Sequence, residues 1–468
     1  MSKKLVAGID SSTQSVKVVI REAETGALIR EGRASHPDGT EVDPLHWKVA
    51  LDKAIDAAGG LKNVSAISIG GQQHGMVTLD ENGDVVRPAL LWNDTRSAQS
   101  AATLNSELGG DAAIAKATGS VLVASFTASK VRWMADHEPD NAERTHAIAL
   151  PHDWLSWQLQ GGKDFSKLFT DRSDASGTGY FDAVSSTYRR DILAAAIKSK
   201  REIQLPFVAT PAEFAGTTLS GIPIAPGAGD NAAAALGIQA KPGDVVVSLG
   251  TSGTAFSVSK TPTADPTGMV AGFADATGNY LPLVCTLNAA RIFDAATRIL
   301  GKTHDEVGQL ALSTQPGAHG LALLPYFEGE RTPNRPNATG VFSGMTLENS
   351  NPADIARAMI EGMLAGLADA VQALIDLGVE VKRVLIIGGA AKNPAVGQIA
   401  SALFARPVLV APAGEYVADG AARQAAWALL GGADAPLWDL GAAQEIEAVA
   451  TPEVLERYRV LRDATVNW

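Results

Sequence analysis

The chain has 468 residues, more than one hydrophobic core usually supports, so two domains with a ligand-binding cleft between them are expected. Its formal net charge of −12 argues against nucleic-acid and anionic-membrane surfaces, because both need clustered lysine and arginine. The single cysteine, Cys285, excludes an intramolecular disulfide and is expected to be a small buried hydrophobe in a reducing cytoplasm. No leader pattern and no 18-residue apolar stretch is evident, so a soluble, cytoplasmic protein is expected.

The first predicted element is a β-hairpin with a hydroxyl-rich tip, enclosed by apolar runs at 5–9 and 16–20. Its polar and charged residues are Asp10, Ser12, Thr13, Gln14 and Lys17. Backbone N–H groups and hydroxyls in such a turn can hold an anion, and the lysine supplies positive charge nearby. Considered alone, the stretch is more often a plain polar turn.

Strand and helix signals then alternate. Asp43 is expected to cap a helix that begins at Pro44 and reaches Ala58, and a strand follows at 64–69. This alternation is typical of an α/β fold. A long helix after Pro352 carries an apolar stripe at helical spacing and is predicted to be a core element.

The strand at 64–69 runs into a polar loop, 70–75, that contains Gln73 and His74. Amide and imidazole groups at a strand end suit a polyhydroxylated ligand, although a lone histidine is more often structural. No second metal-ligating residue lies two to four positions from His74, so a metal site there is not expected.

Further candidates follow this loop. Trp92 could form a flat wall for a sugar or belong to the core, and Asp94 is expected to cap a helix containing Arg96. A helix is predicted to open at 151–154. Residues 170–180, TDRSDASGTGY, are predicted to form an ordered polar loop, a kind of segment that is often functional.

The stretch 226–237, PGAGDNAAAALG, places Asp230 between a glycine-rich turn and an alanine-rich helix. Asp230 is expected to be the N-cap of that helix, whose dipole would favour the ionised carboxylate. A plain helix cap and a functional carboxylate are both compatible with this motif taken alone.

A second strand, glycine and hydroxyl turn, and strand occur at 245–254, about 240 residues after the first hairpin. This repetition suggests two similar domains, with a boundary near residue 240 that separates 1–240 from 241–468. A third glycine turn ends the strand-like run within 384–393 and precedes a helix, an arrangement that suits a phosphate or a flat ligand.

Motifs of other nucleotide-dependent or hydrolytic proteins are missing from the sequence. It contains no GxxxxGK[ST] P-loop, no HRD or DFG set of a protein kinase and no GxSxG elbow. The GAGDNA run matches GxGxxA but does not follow a long buried first strand, so a dinucleotide-binding fingerprint is not expected.

Seven motifs, in this order and spacing, resemble the FGGY family of carbohydrate kinases over nearly the whole chain. They are GIDSSTQSVK at 8–17, SIGGQQHG at 68–75, LLWNDTR at 90–96, SDASGTGYFD at 173–182, GAGDNAAAALG at 227–237, SLGTSG at 248–253 and GERTP at 329–333. The resemblance implies an α/β protein of two actin-like ATPase (ribonuclease H-like) domains that face each other across a deep cleft, with sugar in the first domain and ATP in the second.

The resemblance also implies roles for individual residues. Asp230 would be the general base, and Asp10 would lie near the phosphates and hold Mg²⁺ through water. The implied sugar-binding residues are Gln73, His74, Trp92, Asp230 and Asn231. The implied ATP-binding residues are Ser12, Thr13, Gln14, Lys17, Gly250, Thr251, Ser252, Gly388, Gly389, Ala390 and Asn393.

The resemblance is greatest to members of the family that phosphorylate D-xylulose, which implies ATP-dependent transfer to the terminal hydroxyl of this ketopentose. Another ketose or a polyol such as ribulose, L-xylulose, xylitol or glycerol is the first alternative, because the position of Gln73 varies among relatives. An actin-fold ATPase that acts as a chaperone or forms filaments is the second. A homodimer is the expected oligomer, because homodimers are the commonest.

Overall fold

The computed structural model describes residues 3–466, and the chain divides into two compact units. The first unit contains the residues up to Ala240 together with Lys260–Leu281 and Gly414–Leu440. The second unit contains Lys241–Ser259, Pro282–Ala413 and the residues from Gly441 onward. The first division along the chain thus falls after residue 240, and two later segments return to the first unit.

The described residues form strands in both units. The strands are β1 (Leu5–Ser11), β2 (Ser15–Glu22), β3 (Leu28–Ser35), β4 (Glu41–Val42), β5 (Val64–Gly71), β6 (Val77–Leu79), β7 (Ala89–Leu90), β8 (Ala147–Ala149), β9 (Phe169–Thr170), β10 (Phe181–Asp182), β11 (Thr187–Tyr188), β12 (Phe207–Val208), β13 (Gly216–Thr217), β14 (Pro223–Ile224), β15 (Ala228–Gly229), β16 (Asp244–Leu249), β17 (Gly253–Ser257), β18 (Ala271–Ala274), β19 (Tyr280–Thr286), β20 (Ala322–Leu324), β21 (Val341–Ser343), β22 (Arg383–Ile387), β23 (Val408–Val410) and β24 (Gln444–Ile446).

Helices connect and cover these strands. The α-helices are α1 (Pro44–Ala57), α2 (Ala98–Glu107), α3 (Asp111–Thr118), α4 (Thr127–His137), α5 (Pro139–Arg144), α6 (Pro151–Leu159), α7 (Arg172–Ser176), α8 (Arg190–Ile197), α9 (Asp230–Gly237), α10 (Ala290–Leu300), α11 (His304–Leu312), α12 (Pro352–Asp376), α13 (Pro394–Phe404), α14 (Tyr416–Leu430) and α15 (Pro452–Ala464). Short 3₁₀-helices occur at Phe165–Lys167, Ala318–Gly320 and Ala390–Lys392.

The main sheet of the first unit has the strand order β13-β14-β5-β1-β2-β3, with β15 also paired to β5. The predicted first hairpin is confirmed, because β1 and β2 pair antiparallel with Asp10 opposite Lys17. Strand β5 then pairs parallel to β1 and places Gly70 beside Asp10. The predicted helix before β5 is also confirmed, since the Asp43 side chain accepts a hydrogen bond from the N–H of Leu45 at the start of α1.

The sheet of the first unit is covered on both faces. Alternation along β1 sends Ala7 and Ile9 into a core with Trp47 of α1 and Trp154 of α6. On the other face, Val6 packs against alanines of α14, Ala418 and Ala422 among them. Both faces of β1 are therefore buried, as its continuous apolar run requires.

Within the second unit the sheet runs in the order β19-β17-β16-β22-β23-β24. Strands β19, β17 and β16 pair antiparallel, and β22 then pairs parallel to β16. The first unit has the same succession in β3, β2, β1 and β5. The repetition predicted from the two hairpins is thus present as a repeated strand topology.

Helix α12 corrects the expectation that the chain has no 18-residue apolar stretch. Among the described residues it is the one helix long and apolar enough to span a membrane by length and composition. Its side chains are mostly buried inside the second unit, including Met359, Met363 and Leu367. The predicted role as a core helix is therefore confirmed.

The helix predicted around Arg96 begins later than expected. Ser97 is the N-cap of α2, and Arg96 lies in the preceding turn. The Asp94 side chain accepts a hydrogen bond from the backbone N–H of Arg96, at 3.0 Å. Asp94 therefore closes a local turn two residues long, a common use of aspartate, and does not cap a helix.

Helices α9 and α14 approach each other and the sheet with almost no side chain between them. A Cβ on Gly420 of α14 would lie 1.8 Å from the carbonyl oxygen of Ala233 in α9, and one on Gly237 would lie 2.0 Å from that of Tyr416. A Cβ on Gly8 of β1 would lie 2.0 Å from the carbonyl oxygen of Ala418. Only glycine permits these backbone contacts.

Gly420→Ala is expected to destabilise the protein by about 3 kcal/mol or more, because rigid backbone, and not a flexible side chain, occupies the space. Gly366→Ala is the matched control, since Gly366 also lies inside a helix but its Cβ would be 3.4 Å from the nearest atom, the hydroxyl of Tyr458. Thermal unfolding should show a large loss for Gly420→Ala and none for Gly366→Ala, where alanine favours helix. Equal melting temperatures for the two variants would contradict this packing.

Candidate active site

Asp10 lies near the end of β1, on the same side of the strand as Gly8. Its carboxylate is 3.6 Å from Nζ of Lys17, and that ammonium group also contacts Glu415 at 2.5 Å, just before α14. The hydroxyl of Ser12 donates a short hydrogen bond to Asp10. Burial raises the pKa of Asp10, although Lys17 and Ser12 act in the opposite direction.

The turn between β1 and β2 is held by residues from outside the hairpin. The indole N–H of Trp92 donates to the hydroxyl of Thr13 at 2.8 Å, so Trp92 lies beside the turn and is only partly buried. The ring of His36 contacts the carbonyl oxygen of Ser12 at 2.8 Å, and the backbone N–H of His36 donates to Gln14. The structure thus brings the predicted Ser12, Thr13, Gln14 and Trp92 together at one turn.

Asp230 is the first residue of α9 and not its N-cap, which is Gly229. This corrects the sequence-based expectation. The Asp230 carboxylate accepts hydrogen bonds from the backbone N–H and the side-chain amide of Asn231, both at 2.8 Å. Within residues 3–466, these two hydrogen bonds from Asn231 share one oxygen of the carboxylate, which leaves its other oxygen available for a ligand.

Asp230 is half-buried. Surrounding protein and the nearby Asp10 raise its pKa to about 7, against the hydrogen bonds from Asn231. The expectation that the helix dipole keeps Asp230 ionised is therefore wrong, since burial and a second carboxylate have the larger effect. A pKa near 7 suits a general base that works at neutral pH.

The loop after β5, residues 70–75, is packed tightly. The side-chain amide of Gln73 donates to the carbonyl oxygen of Ser173 at 2.9 Å. His74 has a φ of 71°, which is uncommon for a residue other than glycine, and its Nδ1 lies 2.6 Å from the carbonyl oxygen of Gly177. The ring also packs edge-on against Phe126 at 4.9 Å. His74 thus has the structural role that its sequence context left open, and its contact with sugar stays a prediction.

Residues 170–180 were predicted to be a polar loop, and the structure shows that they include the buried helix α7. Asp171 caps this helix by accepting hydrogen bonds from the N–H groups of Ser173 and Asp174. The hydroxyl of Ser173 in turn accepts from the N–H of Gly229, at 3.0 Å. Hydrogen bonds from capping and from neighbouring loops allow this polar helix to be buried.

A histidine lies in the interior behind this helix. His152 of α6 is fully buried, with its Nδ1 3.0 Å from Asp153 and its Nε2 3.3 Å from Asp171 and 3.5 Å from Asp174. Burial alone would lower the pKa of His152, but the surrounding carboxyl groups, Asp174 foremost, raise it well above its usual value. The ring of His152 therefore lies between α6 and the capped end of α7, in contact with carboxyl groups of both helices and of the cap.

In the second unit, the predicted phosphate turn connects β16 and β17. Gly250 and Thr251 are exposed at its tip, and Ser252 is half-buried. The N–H of Ala290 at the start of α10 donates to the carbonyl oxygen of Gly250 at 2.9 Å. Arg291 donates to the carbonyl oxygen of Thr251 at 3.3 Å, so a cation also lies beside the turn.

The other predicted ATP-binding segment follows β22. Gly388 has a φ of 102°, and a Cβ there would lie 2.5 Å from the carbonyl oxygen of Leu249. A Cβ on Gly389 would meet none of the described residues within 4 Å, so Gly389 presents open backbone, and Ala390 is buried beside it. Asn393 caps α13 and donates to the carbonyl oxygen of His304 at 2.9 Å. Its adenosine contact stays a prediction.

The sequence analysis did not identify the residues that contact and position the candidate site residues. Glu415 is 398 positions from Lys17, and a single sequence gives no sign of such a pair. Ser173 and Asp171 both lie in the stretch 170–180, which was interpreted as a loop because a helix of five residues is too short to show periodicity. The capping preference of aspartate at position 171 was the one available signal.

Comparison with known proteins identifies the class of this chain. The N-terminal domain of the FGGY family of carbohydrate kinases matches residues 5–237, and the C-terminal domain of that family matches residues 245–429. The chain belongs to the FGGY family of carbohydrate kinases. It is therefore a sugar phosphotransferase, and ATP is the substrate that this class implies.

Individual relatives support the same assignment. The chain is 42% identical over 466 residues to the xylulose kinase of Streptomyces coelicolor, covering 96% of this chain and 94% of the relative. The crystal structure of xylulose kinase from Bifidobacterium adolescentis is 47% identical with a TM-score of 0.91, covering 99% and 100% of the two chains. Plasmodium falciparum glycerol kinase with ADP, 19% identical, has the same fold with a TM-score of 0.85, covering 100% of this chain and 99% of that one. The predicted fold class, α/β with two actin-like ATPase domains, is confirmed.

The pKa of Asp230 predicts a pH dependence. A base must be ionised, so kcat/KM for the sugar should be constant well above pH 7 and fall by about tenfold per pH unit well below it. The profile of kcat/KM measures this, because it reports ionisation in the free enzyme. A profile that stays flat down to pH 5.5 would contradict the raised pKa.

Proposed function

We propose that this protein phosphorylates D-xylulose at its terminal hydroxyl with ATP, giving D-xylulose 5-phosphate and ADP. One observation carries the proposal. Asp230 is half-buried and has a pKa of about 7, which burial and the buried carboxylate of Asp10, near the end of β1, both raise. The xylulose kinases at 42% and 47% identity support the choice of sugar. The single buried cysteine supports the cytoplasm as its location.

Asp230 acts as the general base. The terminal hydroxyl oxygen attacks the γ-phosphorus, its proton moves to the Asp230 carboxylate, and the bond from phosphorus to the β,γ-bridging oxygen breaks to release ADP. Such transfers depend mainly on positioning and on neutralising the phosphoryl oxygens. Asn231 holds one oxygen of the base in place through two hydrogen bonds.

The residues around Asp10 fit a magnesium ion. A carboxylate is the kind of hard oxygen ligand that Mg²⁺ prefers, and the ion keeps most of its water, so a single protein carboxylate reached through water is sufficient. Burial of Asp10 disfavours its negative charge, which a divalent cation would relieve. When bound, Mg²⁺ would neutralise charge on the phosphates.

Backbone and side-chain donors of two hairpin turns hold the ATP phosphates in this proposal. Ser12, Thr13, Gln14 and Lys17 belong to the first turn, and Gly250, Thr251 and Ser252 to the second. The proposed adenosine contacts are Gly388, Gly389, Ala390 and Asn393. Open backbone at Gly389 supports close approach of a flat ligand.

Gln73, His74 and Trp92 are the proposed sugar contacts beside Asp230 and Asn231. Gln73 and His74 are at least nine-tenths buried, and each already has a hydrogen bond to the backbone of 173–177. Their side chains are therefore fixed before sugar arrives, which favours one arrangement of hydroxyl groups over others. Another ketose or a polyol remains the alternative substrate. Family membership favours sugar phosphotransfer over a chaperone or filament-forming ATPase.

A panel of sugars tests the substrate. ADP release measured by a coupled assay with D-xylulose, D-ribulose, L-xylulose, xylitol and glycerol should give the highest kcat/KM for D-xylulose, by about tenfold or more, because hydrogen-bonding sites discriminate strongly against a misplaced hydroxyl. A higher kcat/KM for another sugar of the panel would show that this sugar, and not D-xylulose, is the preferred substrate. ADP release independent of sugar would contradict kinase activity.

Asp230→Asn should lower kcat by about 10²- to 10⁴-fold, because an amide cannot accept the proton. The affinity for ATP should change little, since the proposed ATP contacts are other residues. Asp305→Asn, at an exposed position of the second unit, is the matched control and should keep normal turnover. The comparison needs steady-state kinetics for turnover and calorimetry for ATP binding, and a near-normal kcat for Asp230→Asn would refute the role.

A further inference from the structure

Ser173 contacts the two segments that carry the proposed sugar contact and the proposed base. Its hydroxyl accepts a hydrogen bond from the N–H of Gly229, the residue before Asp230, at 3.0 Å. Its carbonyl oxygen accepts a hydrogen bond from the side-chain amide of Gln73, at 2.9 Å. A single residue therefore fixes the base relative to the loop 70–75.

Ser173 is itself held firmly. Its own N–H donates to the cap residue Asp171 at 2.7 Å, and the hydroxyl of Ser176 donates to its carbonyl oxygen at 2.6 Å. Ser176 also accepts from the N–H of Ala274 in β18, at 3.0 Å. Side chains 173–176 are at most 1% exposed, so water cannot replace these hydrogen bonds readily.

Buried polar contacts behind α7 attach its capped end to α6. Asp171 faces Nε2 of His152, and a Cβ on Gly71 of β5 would lie 3.0 Å from Cβ of His152. The cap of α7 is thus tied to α6, which packs directly on the end of β5. Helix α7 is therefore buried and anchored at its capped end.

The segments joined by Ser173 also press on each other. A Cβ on Gly229 would lie 2.6 Å from the Gln73 side chain. Because Gly229 has no Cβ, the Gln73 side chain lies close to its backbone, which limits how much nearer the segments can come, and the two hydrogen bonds of Ser173 limit how far they can separate. Their spacing is therefore determined from both directions.

We propose that Ser173 is a positioning residue for phosphoryl transfer, which sets the distance between Asp230 and the sugar-binding side chain of Gln73 through its hydroxyl and its carbonyl oxygen. This inference rests on the proposed roles of Asp230 and Gln73. A displacement of about 1 Å between reacting groups can lower turnover by about 10²-fold, so the loss of one buried hydrogen bond at this point has a kinetic effect.

Ser173→Ala tests the hydroxyl, with Ser401→Ala as the matched control. Ser401 is also a fully buried helical serine, and its hydroxyl accepts from the N–H of Ala448 at 3.1 Å in the second unit. The Ser401 hydroxyl also donates to the carbonyl oxygen of Arg406 at 3.0 Å, so both variants should lose stability, and the control at least as much as Ser173→Ala. Kinetics per folded molecule, with the folded fraction taken from thermal unfolding, then separate positioning from stability.

Ser173→Ala should lower kcat by about 10- to 100-fold and raise the KM for D-xylulose while the KM for ATP stays within about twofold. Ser401→Ala should keep all three constants within about twofold, and Ser173→Thr, which keeps the hydroxyl, should recover most of the lost kcat. If Ser173→Ala does not fold, Ser173→Cys keeps the volume with a weaker acceptor and should show the same changes to a smaller degree.

Asp230→Asn, measured in the same assay, separates the two ideas. If Asp230→Asn is nearly inactive while Ser173→Ala matches Ser401→Ala in kcat and both KM values, the positioning role is refuted and the base is retained. If Asp230→Asn has normal turnover, Asp230 is not the general base. The positioning role of Ser173 is then refuted too, because it depends on that base.

Discussion

Close contact between backbones makes the site of the first unit possible. Helices α9 and α14 lie against each other and against β1 at positions where glycine is the only residue that fits, Gly8, Gly237 and Gly420. This contact brings the first turn of α9, with Asp230, and the residue before α14, Glu415, to the end of β1 where Asp10 lies. A side chain at any of the three glycines would push a helix outward and move a carboxylate with it.

The same closeness determines the chemistry of the carboxylates. Burial and the neighbouring carboxylate of Asp10 raise the pKa of Asp230 to about 7, so Asp230 accepts a proton more strongly than an exposed aspartate. Lys17, which also pairs with Glu415, lies beside Asp10 and acts to lower the pKa of Asp10, whereas burial raises it. Placing two carboxylates close together lowers folding stability, but it gives Asp230 a pKa suited to a general base. Such a trade-off between stability and function is common.

Much of the fold could be predicted from the sequence, because apolar runs, turns and caps are local. The two hairpins, the Asp43 cap and the core helix α12 are examples, and the repetition of a strand-turn-strand pattern indicated two related units. The errors have physical causes. Helix α7 was missed because it is short and its burial depends on hydrogen bonds to distant residues. The pKa of Asp230 was misjudged because burial and the carboxylate of Asp10, 220 positions away, raise it, and neither is visible in the local sequence.

Site residues that belong to a motif could be predicted from the sequence. Site residues that come from distant segments could not. Asp10, Gln73 and Asp230 belong to recognisable motifs, whereas Glu415 and Gln424 come from a segment with no signal of its own. Gln424 of α14 accepts hydrogen bonds from Ser68 of β5 and from the N–H of Gly227, so a helix near the end of the chain holds the segment that leads to Asp230.

That helix has a consequence for biosynthesis. Because Gly414–Leu440 belongs to the first unit, the first 240 residues leave the ribosome without the helix that covers one face of their sheet. The face around Val6 and Ala66 stays open to solvent until more than 400 residues have been made. Contacts between such distant segments form slowly, and exposed apolar surface favours aggregation in the interval. The first unit can therefore be completed only late in synthesis, after α14 has emerged.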